Sequence, residues 1–441
     1  MPPTQHHNLF ADDFSTNPWW WRDMPPAPTG LKDVPDQTDV VVIGGGYAGL
    51  SCALELAQAG GAVIVIDADD IGFGGSTRNA GFVSGRAGVG KQIDLRAAVG
   101  VERAGAMLDE AGDAFEFLQK RLIDENIDCD FRPCGRFAAA VTPGAYKKLE
   151  AKAAETNTGS ADDFQLVSRS DQSTYINSDV YHGGTFIPEA GSIHPTKYHR
   201  GLLSLCVAAG VQFLSHCRVV GIHSTDTEKT VATIKGSIRA KNVALCTNGY
   251  TDHASPWHQR RIIPMSSTII ATEELGEDRV RSLLPHMCPI IDSRRVIRFS
   301  RPTPDGKRIL FGGRAKFTPI DERESTALLH RQMTDVFPSL HDVKISNTWA
   351  GLMAFTFDFL PKTGIHDGVH YAIGCNGGAG IVMMSWLGRQ TAQRILGTQN
   401  QRSAFEGLPF PTQPLYSGTP WFIPIIGNWY RFRDWVDLKL A

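Results

Sequence analysis

The stretch VVVIGGGYAG, residues 40–49, decides the fold of this chain. Its four β-branched residues are the pattern of a buried strand, and the glycines that follow match the spacing GxGxxG at Gly44, Gly46 and Gly49. Small and apolar residues from 50 to 59 predict a helix directly after the turn. Strand, glycine turn and helix in this order predict the Rossmann-type unit that binds a dinucleotide.

Each glycine of this turn has a mechanical reason. Gly44 makes the turn, Gly46 lets a pyrophosphate approach the backbone, and Gly49 lets the helix pack closely on the strand. The helix N-terminus near Ala48 offers free N–H groups and a positive dipole to the phosphates. A second buried strand ends at Asp67, whose carboxylate can accept hydrogen bonds from an adenosine ribose and repels a 2′-phosphate. The pattern therefore disfavours NADP as the dinucleotide.

A second glycine-rich loop, IGFGGSTRNAGF at residues 71–82, follows where a bound dinucleotide would continue. Its glycines permit close approach of the backbone to a ligand. Ser76, Arg78 and Asn79, with Thr77 among them, offer donors to a phosphate or to the edge of a ring. A plain flexible loop is the alternative interpretation. The position directly after a nucleotide-binding unit favours the binding role.

Further strand patterns lie far along the chain. Buried strands at residues 243–246 and 371–375 each end in a polar or glycine turn, and a helix over residues 381–396 follows the second turn. The nucleotide-binding domain is therefore expected to be discontinuous, while β-rich patterns at residues 262–272 and 296–313 predict an antiparallel sheet in a second, α+β domain. The expected fold class is α/β, with an N-terminal extension at 1–37, the nucleotide-binding domain at 38–100, 161–258 and 346–402, the substrate domain at 101–160 and 259–345, and a tail packed on the body at 403–441.

Composition excludes several classes of protein. With 441 residues and a net charge of −2, the chain can fill two domains and has no basic surplus that would attract nucleic acid. No apolar run reaches the ~20 residues that a membrane helix needs, and the N-terminus lacks the basic and apolar regions of a signal peptide, so a cytoplasmic protein is expected. The eight cysteines form no CxxC pair, so neither a disulfide reductase nor a metal site is expected.

Several specific blocks occur in an order that is typical of one enzyme family. They are VIGGGYAGLS (42–51), IGFG (71–74), IDCDFRP (127–133), IHP (193–195), LFGG (310–313), FEGLPF (405–410) and YRFRD (430–434). By these blocks the chain resembles the FAD-dependent oxidoreductases of the D-amino-acid oxidase and glycine oxidase superfamily. Within that superfamily it most resembles the gamma-glutamylputrescine oxidoreductases. The resemblance extends from about residue 19 to the C-terminus.

The resemblance implies a two-domain flavoenzyme that oxidises a carbon–nitrogen bond to an imine, which water then hydrolyses. It implies that the Rossmann-type domain is an FAD-binding domain, with the pyrophosphate on the first glycine turn, the ribose on Asp67 and the adenine against the backbone at Val219. The flavin ring would lie between the second glycine loop and a late glycine turn. The residues implied to contact FAD are Gly44, Gly46, Ala48, Gly49, Asp67, Ser76, Thr77, Arg78, Asn79, Val219, Gly351, Gly378, Ala379, Gly380 and Ile381.

Departures from the family pattern bear on how FAD is held and reoxidised. Relatives that tether FAD through a cysteine carry it in the strand matching residues 349–356, where this chain has none. Other relatives use a histidine where this chain has Arg78, so non-covalent FAD is expected. The ring-proximal histidine of related enzymes is missing from residues 376–380. Leu310 stands where sarcosine-oxidase-like relatives carry an oxygen-activating lysine, so oxygen and another electron acceptor both stay open.

Two residues are candidates for catalysis. A protonated amine cannot expel hydride because its lone pair is occupied, so the site must favour the free base. His194 is a candidate proton acceptor or substrate contact, and a histidine that merely orders the turn before Pro195 is the alternative. Arg298 matches an arginine of the related enzymes and could bind a substrate carboxylate bidentately, with an ordinary surface ion pair as the alternative.

The leading hypothesis is an FAD-dependent amine or amino-acid oxidoreductase, with gamma-glutamylated amines, secondary amino acids and D-amino acids as candidate substrates. An amine dehydrogenase with an acceptor other than oxygen is one alternative, and an NAD-dependent dehydrogenase on the same fold is another. A third is a non-catalytic, flavin-bound assembly subunit, suggested by Trp19–Trp21 and the aromatic tail at residues 421–435. The partners expected are a small-molecule amine and an electron acceptor, and the sequence indicates no oligomeric state.

Overall fold

The computed structural model describes residues 9–90, 93–156, 164–225, 228–313, 321–378 and 380–439. In these ranges the α-helices are α1 (Tyr47–Gln58), α2 (Leu95–Val99), α3 (Val101–Asp124), α4 (Pro143–Thr156), α5 (Pro195–Ala208), α6 (Pro256–Gln259), α7 (Glu277–Leu283), α8 (Glu322–Val336), α9 (Gly380–Leu396) and α10 (Ile423–Lys439). The strands are β1 (Phe10–Ser15), β2 (Gln37–Ile43), β3 (Val63–Ile66), β4 (Phe82–Ser84), β5 (Arg136–Ala139), β6 (Gln165–Val167), β7 (Gly184–Ile187), β8 (Ala190–Ser192), β9 (Gln212–Leu214), β10 (Val219–Ser224), β11 (Lys229–Thr233), β12 (Gly236–Leu245), β13 (Ile262–Thr272), β14 (Ile290–Asp292), β15 (Phe299–Pro302), β16 (Ile309–Gly313), β17 (Ile345–Thr356), β18 (Lys362–His366) and β19 (Val369–Ile373).

An eight-stranded sheet carries the predicted nucleotide-binding unit. Its central strands β2, β3, β12 and β19 are parallel, and Val41 lies opposite Ile64 on one side and Val243 on the other. One face of β2 and β3 packs against α1, α3, α5 and α9, while the other packs against β10, β11 and β12. Burial on both faces explains the continuous β-branched run, since neither face meets water. The carboxyl ends of the four strands lie at one edge, where open α/β sheets bind ligands.

A nine-stranded sheet forms the second layer, in the order β1-β17-β13-β16-β15-β14-β5-β7-β6. Its longest contact is antiparallel, between β13 and β17, and runs from Ile262 opposite Thr356 to Thr272 opposite Ile345. Only β1 with β17 and β14 with β5 pair in parallel. Buried residues of α7 and α8 cover one face around Phe137 and Phe311. The expected fold class, a Rossmann-type domain with a mainly antiparallel second sheet, is thereby confirmed.

The sheets divide the chain differently from the predicted boundaries at three places. Strands β6 and β7 lie in the nine-stranded sheet although residues 161–258 were assigned to the nucleotide-binding domain, and β17 lies there although 346–402 were so assigned. Helix α3 packs its buried face into the core beneath α1 and α9, although 101–160 were assigned to the substrate domain. These segments cross between the layers, which local periodicity cannot reveal. The domain boundaries themselves stay a prediction.

Segments near both ends of the described chain contribute to the core. Trp20 and Trp21 are buried against Trp349 and Leu310, where burial of these large rings removes apolar surface from water. In the C-terminal segment, Phe405 lies in the core of the eight-stranded layer. All eight cysteines are free thiols. Along the described ranges, no helix is both long and apolar enough to cross a membrane.

Candidate active site

A cavity of about 1640 Å³ opens at the carboxyl edge of the parallel strands. Its lining runs from the first glycine turn, past the end of β3 and the second glycine loop, to residues of β13, β17 and α10. This volume exceeds the ~300–1,000 Å³ of ordinary ligand pockets, so a large cofactor and a second small molecule fit together.

The first glycine turn has the geometry that the sequence predicted. Gly44 adopts φ of +101°, in the left-handed region that disfavours a side chain. A Cβ on Gly49 would lie 1.9 Å from the carbonyl oxygen of Gly44, so only glycine lets α1 pack this closely on the turn. Gly46 is the N-cap of α1 and lines the cavity together with Gly44 and Ala48. The first N–H groups of α1 are therefore placed for an anion in the cavity.

Asp67 ends β3 and lines the cavity. Its carboxylate accepts the N–H of Gly45 at 2.8 Å and the N–H of Asp69 at 3.2 Å. Burial raises the pKa of Asp67 to about 6, against the smaller lowering effect of these two donors. A desolvated carboxylate that faces a cavity is a strong acceptor for ligand hydroxyls. This position is the one that the sequence assigned to a ribose.

The second glycine loop lines the cavity with Ser76, Arg78 and Asn79, but most of their polar atoms are already bonded to protein. Ser76 Oγ accepts the N–H of Tyr47 at 3.1 Å, and Asn79 Nδ2 donates to the carbonyl of Ser76 at 2.8 Å. Arg78 Nε donates to the carbonyl of Phe73 at 2.7 Å, and burial lowers the pKa of Arg78. These side chains therefore hold the loop in its conformation.

Three indole N–H groups donate hydrogen bonds to the same loop. Trp20 Nε1 donates to the carbonyl of Asn79 at 2.9 Å, and Trp349 Nε1 donates to the carbonyl of Arg78 at 2.9 Å. Trp21 Nε1 donates to Thr77 Oγ1 at 2.9 Å. Thr77 is buried and is not part of the cavity lining, so its side chain acts on the loop and not on a ligand. The N-terminal tryptophans thus have an intramolecular role that the sequence analysis left open.

The far end of the cavity is formed by the turn before α9 and by β17. Gly378, Gly380 and Ile381 line it, as does Gly351, where a Cβ would lie 2.9 Å from the Cβ of Arg78. Ala379, which was predicted to contact FAD, lies outside the described residues. A side-chain hydrogen bond connects this turn to β17, because Asn376 Oδ1 accepts the N–H of Thr356 at 2.9 Å. Val219, at the start of β10, lines the opposite end of the cavity.

Apolar side chains form the wall that faces this far end. They come from β13, β15, β17 and the start of α10 with the residue before it, and include Met265, Phe299, Leu352, Phe355, Phe422 and Ile423. Two arginines of the β14–β15 connection join them, each with an acidic partner. Arg294 forms a buried ion pair with Asp292, and although burial opposes its charge, Asp292 raises the pKa of Arg294. Arg295 donates to Asp434 at 3.0 Å and to Asp437 at 2.6 Å, which fastens α10 over the cavity.

The two candidate catalytic residues lie off the cavity. His194 is the N-cap of α5, its Nδ1 accepts the N–H of Lys197 at 3.2 Å, and its ring lies 4.9 Å from that of Trp20. Burial lowers the pKa of His194 to about 4. Arg298 donates to the carbonyl of Gln332 at 3.3 Å and pairs with Asp335 at 3.3 Å. Neither residue is in the cavity lining, so direct contact with a substrate is not supported for either.

Comparison with known proteins connects this geometry to a family. The DAO family model, described as FAD dependent oxidoreductase, matches residues 39–394, which is most of the chain. The chain belongs to this family. Its cofactor is therefore FAD, and the NAD-dependent alternative from the sequence analysis falls away because the family as described uses FAD.

Relatives of this flavoenzyme cover nearly its whole length. It is 32% identical over 404 residues to gamma-glutamylputrescine oxidoreductase of Escherichia coli, covering 90% of this chain and 92% of the relative. It is 32% identical over 391 residues to the probable oxidoreductase OrdL of Haemophilus influenzae, covering 87% and 88%. Glycine oxidase of Geobacillus kaustophilus shares the fold with a TM-score of 0.70 at 17% identity, covering 86% of this chain and 99% of that one. The resemblance seen in the sequence is thus confirmed.

The residues present fit FAD. Glycines at the first turn leave a cradle that a Cβ would fill, since a Cβ on Gly46 would lie 2.8 Å from Ser76 Oγ. A buried carboxylate faces the cavity at Asp67, and the turn at Gly378 lies at its other end. Which residues contact the cofactor stays a prediction from the sequence. Of the predicted contacts that the structure describes, all but Gly49 and Thr77 line this one cavity.

Several lining residues were missed by sequence reasoning. The turn after β12 contributes Thr247, Asn248 and Tyr250, and the only signal for it was a buried strand that ends in polar residues. Helix α10 and the two residues before it contribute Trp421, Phe422, Ile426 and Tyr430, and the sequence showed only an aromatic tail whose position in the fold was unknown. Both segments reach the cavity through packing between distant parts of the chain.

Proposed function

We propose that this enzyme oxidises a carbon–nitrogen bond of an amine or amino acid to an imine, with FAD bound non-covalently. One observation carries the proposal: a single cavity joins the phosphate-binding turn to a wall of apolar side chains, and its described lining contains neither histidine nor lysine. The names of relatives, gamma-glutamylputrescine oxidoreductase and glycine oxidase, point to the same class of substrate. A gamma-glutamylated amine is the more specific proposal.

The residues that would hold FAD follow from the cavity. The pyrophosphate would lie on Gly44 and Gly46, the ribose on Asp67, and the flavin between Arg78 and the turn at Gly378. FAD held by these residues would supply the two-electron oxidant for the carbon–nitrogen bond of the substrate, and hydrolysis of the imine product by water would follow. The cavity lining has cysteines at 217, 246 and 375 but none within β17, which supports non-covalent binding at that strand.

The protein's part in the proposed reaction is to keep the substrate amine neutral and near the flavin. Phe299, Phe355 and Phe422 give the far end of the cavity an apolar lining. An apolar surrounding disfavours the ammonium form, so the substrate amine loses its proton more readily there than in water. The described lining holds no histidine or lysine, and its carboxylate at Asp292 is paired with Arg294, so desolvation would take the place of a general base.

The polar end of a gamma-glutamylated amine would lie toward α10. There Arg295 keeps 36% of its side chain exposed while it holds Asp434 and Asp437, and Tyr430 and Gln413 line the same part of the cavity. A guanidinium with remaining donors can accept a carboxylate bidentately. The structure thus favours Arg295, and not Arg298, as the contact for a substrate carboxylate.

Anaerobic flavin reduction tests the proposal. The purified protein should be yellow, should release FAD on acid precipitation, and should bleach with at least one gamma-glutamylated amine, secondary amino acid or D-amino acid. Phe355→Ala should slow the bleaching by roughly tenfold or more through misplacement of the substrate, at unchanged FAD content. Phe10→Ala in β1 is the control, because Phe10 does not line the cavity. Failure of every amine to reduce fully loaded flavin would overturn the proposal, and admission of air then measures reoxidation by oxygen.

A further inference from the structure

Helix α10 presents an outer face of large apolar side chains to solvent. Ile425 is 66% exposed, Trp429 53%, Phe432 51% and Trp435 56%. These residues are spaced four, three and three apart, which places them along one side of a helix. Their rings also contact each other, with centroids 5.8 Å apart between Trp429 and Phe432 and 6.2 Å between Phe432 and Trp435. A contiguous apolar surface of this kind marks an interaction site.

The charges on α10 are arranged around this outer face. Its two acidic residues, Asp434 and Asp437, both pair with Arg295, which offsets one of their two negative charges. Arg433 is exposed beside the row, with its guanidinium carbon 5.8 Å from the Trp429 ring centroid, and Lys439 is exposed at the helix end. The outer face is therefore apolar with a basic rim.

The same helix closes the cavity on its other side. Ile423 and Gly427 of α10 line the cavity, as does Phe422 just before the helix. Ile426 and Tyr430 of α10, and Trp421 before it, both line the cavity and reach solvent. The inner side of α10 therefore has a partner within the chain, and only the outer face lacks one among the described residues. The mouth of the cavity and the exposed aromatic row are continuous.

We propose that α10 binds the surface of an anionic lipid bilayer, lying in the plane of the interface. Aromatic side chains with a polar tip favour the boundary between headgroups and acyl chains, and basic residues at the rim are attracted by anionic lipid. Binding in this orientation sets the mouth of the cavity, at Trp421 and Tyr430, against the lipid surface. The inference does not depend on which amine the enzyme oxidises.

A second copy of the chain fits this face less well. A two-fold contact through one helix of 17 residues would bring the basic rims of both copies together, and like charges at an interface are unfavourable. A helix of this length extends about 25 Å, which is short for the ~1,200–2,000 Å² that a stable interface buries. An anionic bilayer can bury the apolar row and can also attract the basic residues at its rim.

Sedimentation with vesicles tests the proposal on the intact holoenzyme. The protein should pellet with vesicles of phosphatidylcholine mixed with phosphatidylglycerol, and less with phosphatidylcholine alone. The triple variant Trp429→Ser, Phe432→Ser, Trp435→Ser should lower the partition coefficient by roughly 100-fold, since each large side chain contributes several-fold to about tenfold. Arg433→Gln should reduce only the gain from phosphatidylglycerol. Retained FAD absorbance shows that a variant is folded.

The matched control replaces three exposed apolar residues elsewhere, as Ile123→Ser, Val207→Ser, Ile234→Ser, and should bind vesicles like the wild type. If the wild type fails to pellet with either vesicle, or if the triple variant binds as well as the wild type, the proposal is overturned. It is also overturned if the wild type is a dimer that the triple variant converts to a monomer without any vesicle binding, because the face would then join two copies.

Discussion

Replacing Asp67 by Asn should stabilise the protein without FAD while weakening its hold on FAD. Burial raises the pKa of Asp67 from 3.8 to about 6, and this rise corresponds to about 3 kcal/mol of stability lost when the buried group is ionised. An asparagine removes that charge. Its carbonyl can keep the 2.8 Å hydrogen bond from Gly45, while its amide cannot accept from Asp69, which costs about 1 kcal/mol. The net expectation is about 2 kcal/mol of added stability at pH 7.

The pH dependence of this gain has a definite sign. Between pH 3.8 and about 6 the unfolded chain ionises Asp67 before the folded protein does, so wild-type stability falls as pH rises through this window. Below it both states are protonated and the penalty is absent. The advantage of Asp67→Asn should therefore be full above about pH 6, and below about pH 4 the variant should be less stable by about 1 kcal/mol because of the lost hydrogen bond.

The affinity for FAD should fall in Asp67→Asn, although the stability of the FAD-free protein rises. A hydrogen bond to a charged acceptor contributes about 1.5–3 kcal/mol, so loss of the carboxylate should weaken FAD binding by roughly 10- to 100-fold. Urea unfolding of the FAD-free protein at pH 4 and pH 7, together with FAD titration, measures both effects. Asp36→Asn removes the same charge from an exposed site and is the control. A variant that is less stable at pH 7 and binds FAD normally would refute the reasoning.

Three further predictions rest on other parts of the site. Gly49→Ala should abolish FAD retention because its Cβ would lie 1.9 Å from the Gly44 oxygen, whereas Gly105→Ala in open space should be stabilising by about 0.5–1 kcal/mol, both measured by FAD content and urea unfolding. Asp292→Ala should lower the free energy of unfolding by about 3–5 kcal/mol because it leaves Arg294 buried and unpaired, and a smaller loss would show that water reaches Arg294. The rate of flavin reduction should rise with pH along the titration of the substrate amine, and a break near the ordinary histidine pKa of about 6.5 would contradict a described cavity lining without histidine.

Local sequence was sufficient wherever one short segment sets its own geometry. The run from residue 40 to Asp67 contains the buried strand, the left-handed Gly44, the close approach at Gly49 and the acid after the second strand, and all lie within about thirty residues. Backbone conformation and burial on both faces decide these features, and both are written in residue type and spacing. The family blocks extended this result to the whole fold.

The sequence did not predict which side chains pair with each other when they lie far apart along the chain. Arg294, Arg295 and Arg298 stand within five positions of one another, yet one lies in a buried pair with Asp292, one holds α10, and one faces Asp335. Periodicity could not say which of them reaches the cavity, because that depends on how the β14–β15 connection lies against other elements.

What the sequence determined by itself, then, was the kind of cofactor site, because glycine conformations and strand burial are local properties. Only the tertiary structure decided which side chains face the cavity and what closes it. The contact between Arg295 and Asp434 spans 139 positions, and the brace from Trp20 to Asn79 spans 59. Contacts at such separations form through packing of whole layers, so no pattern within a short window contains them.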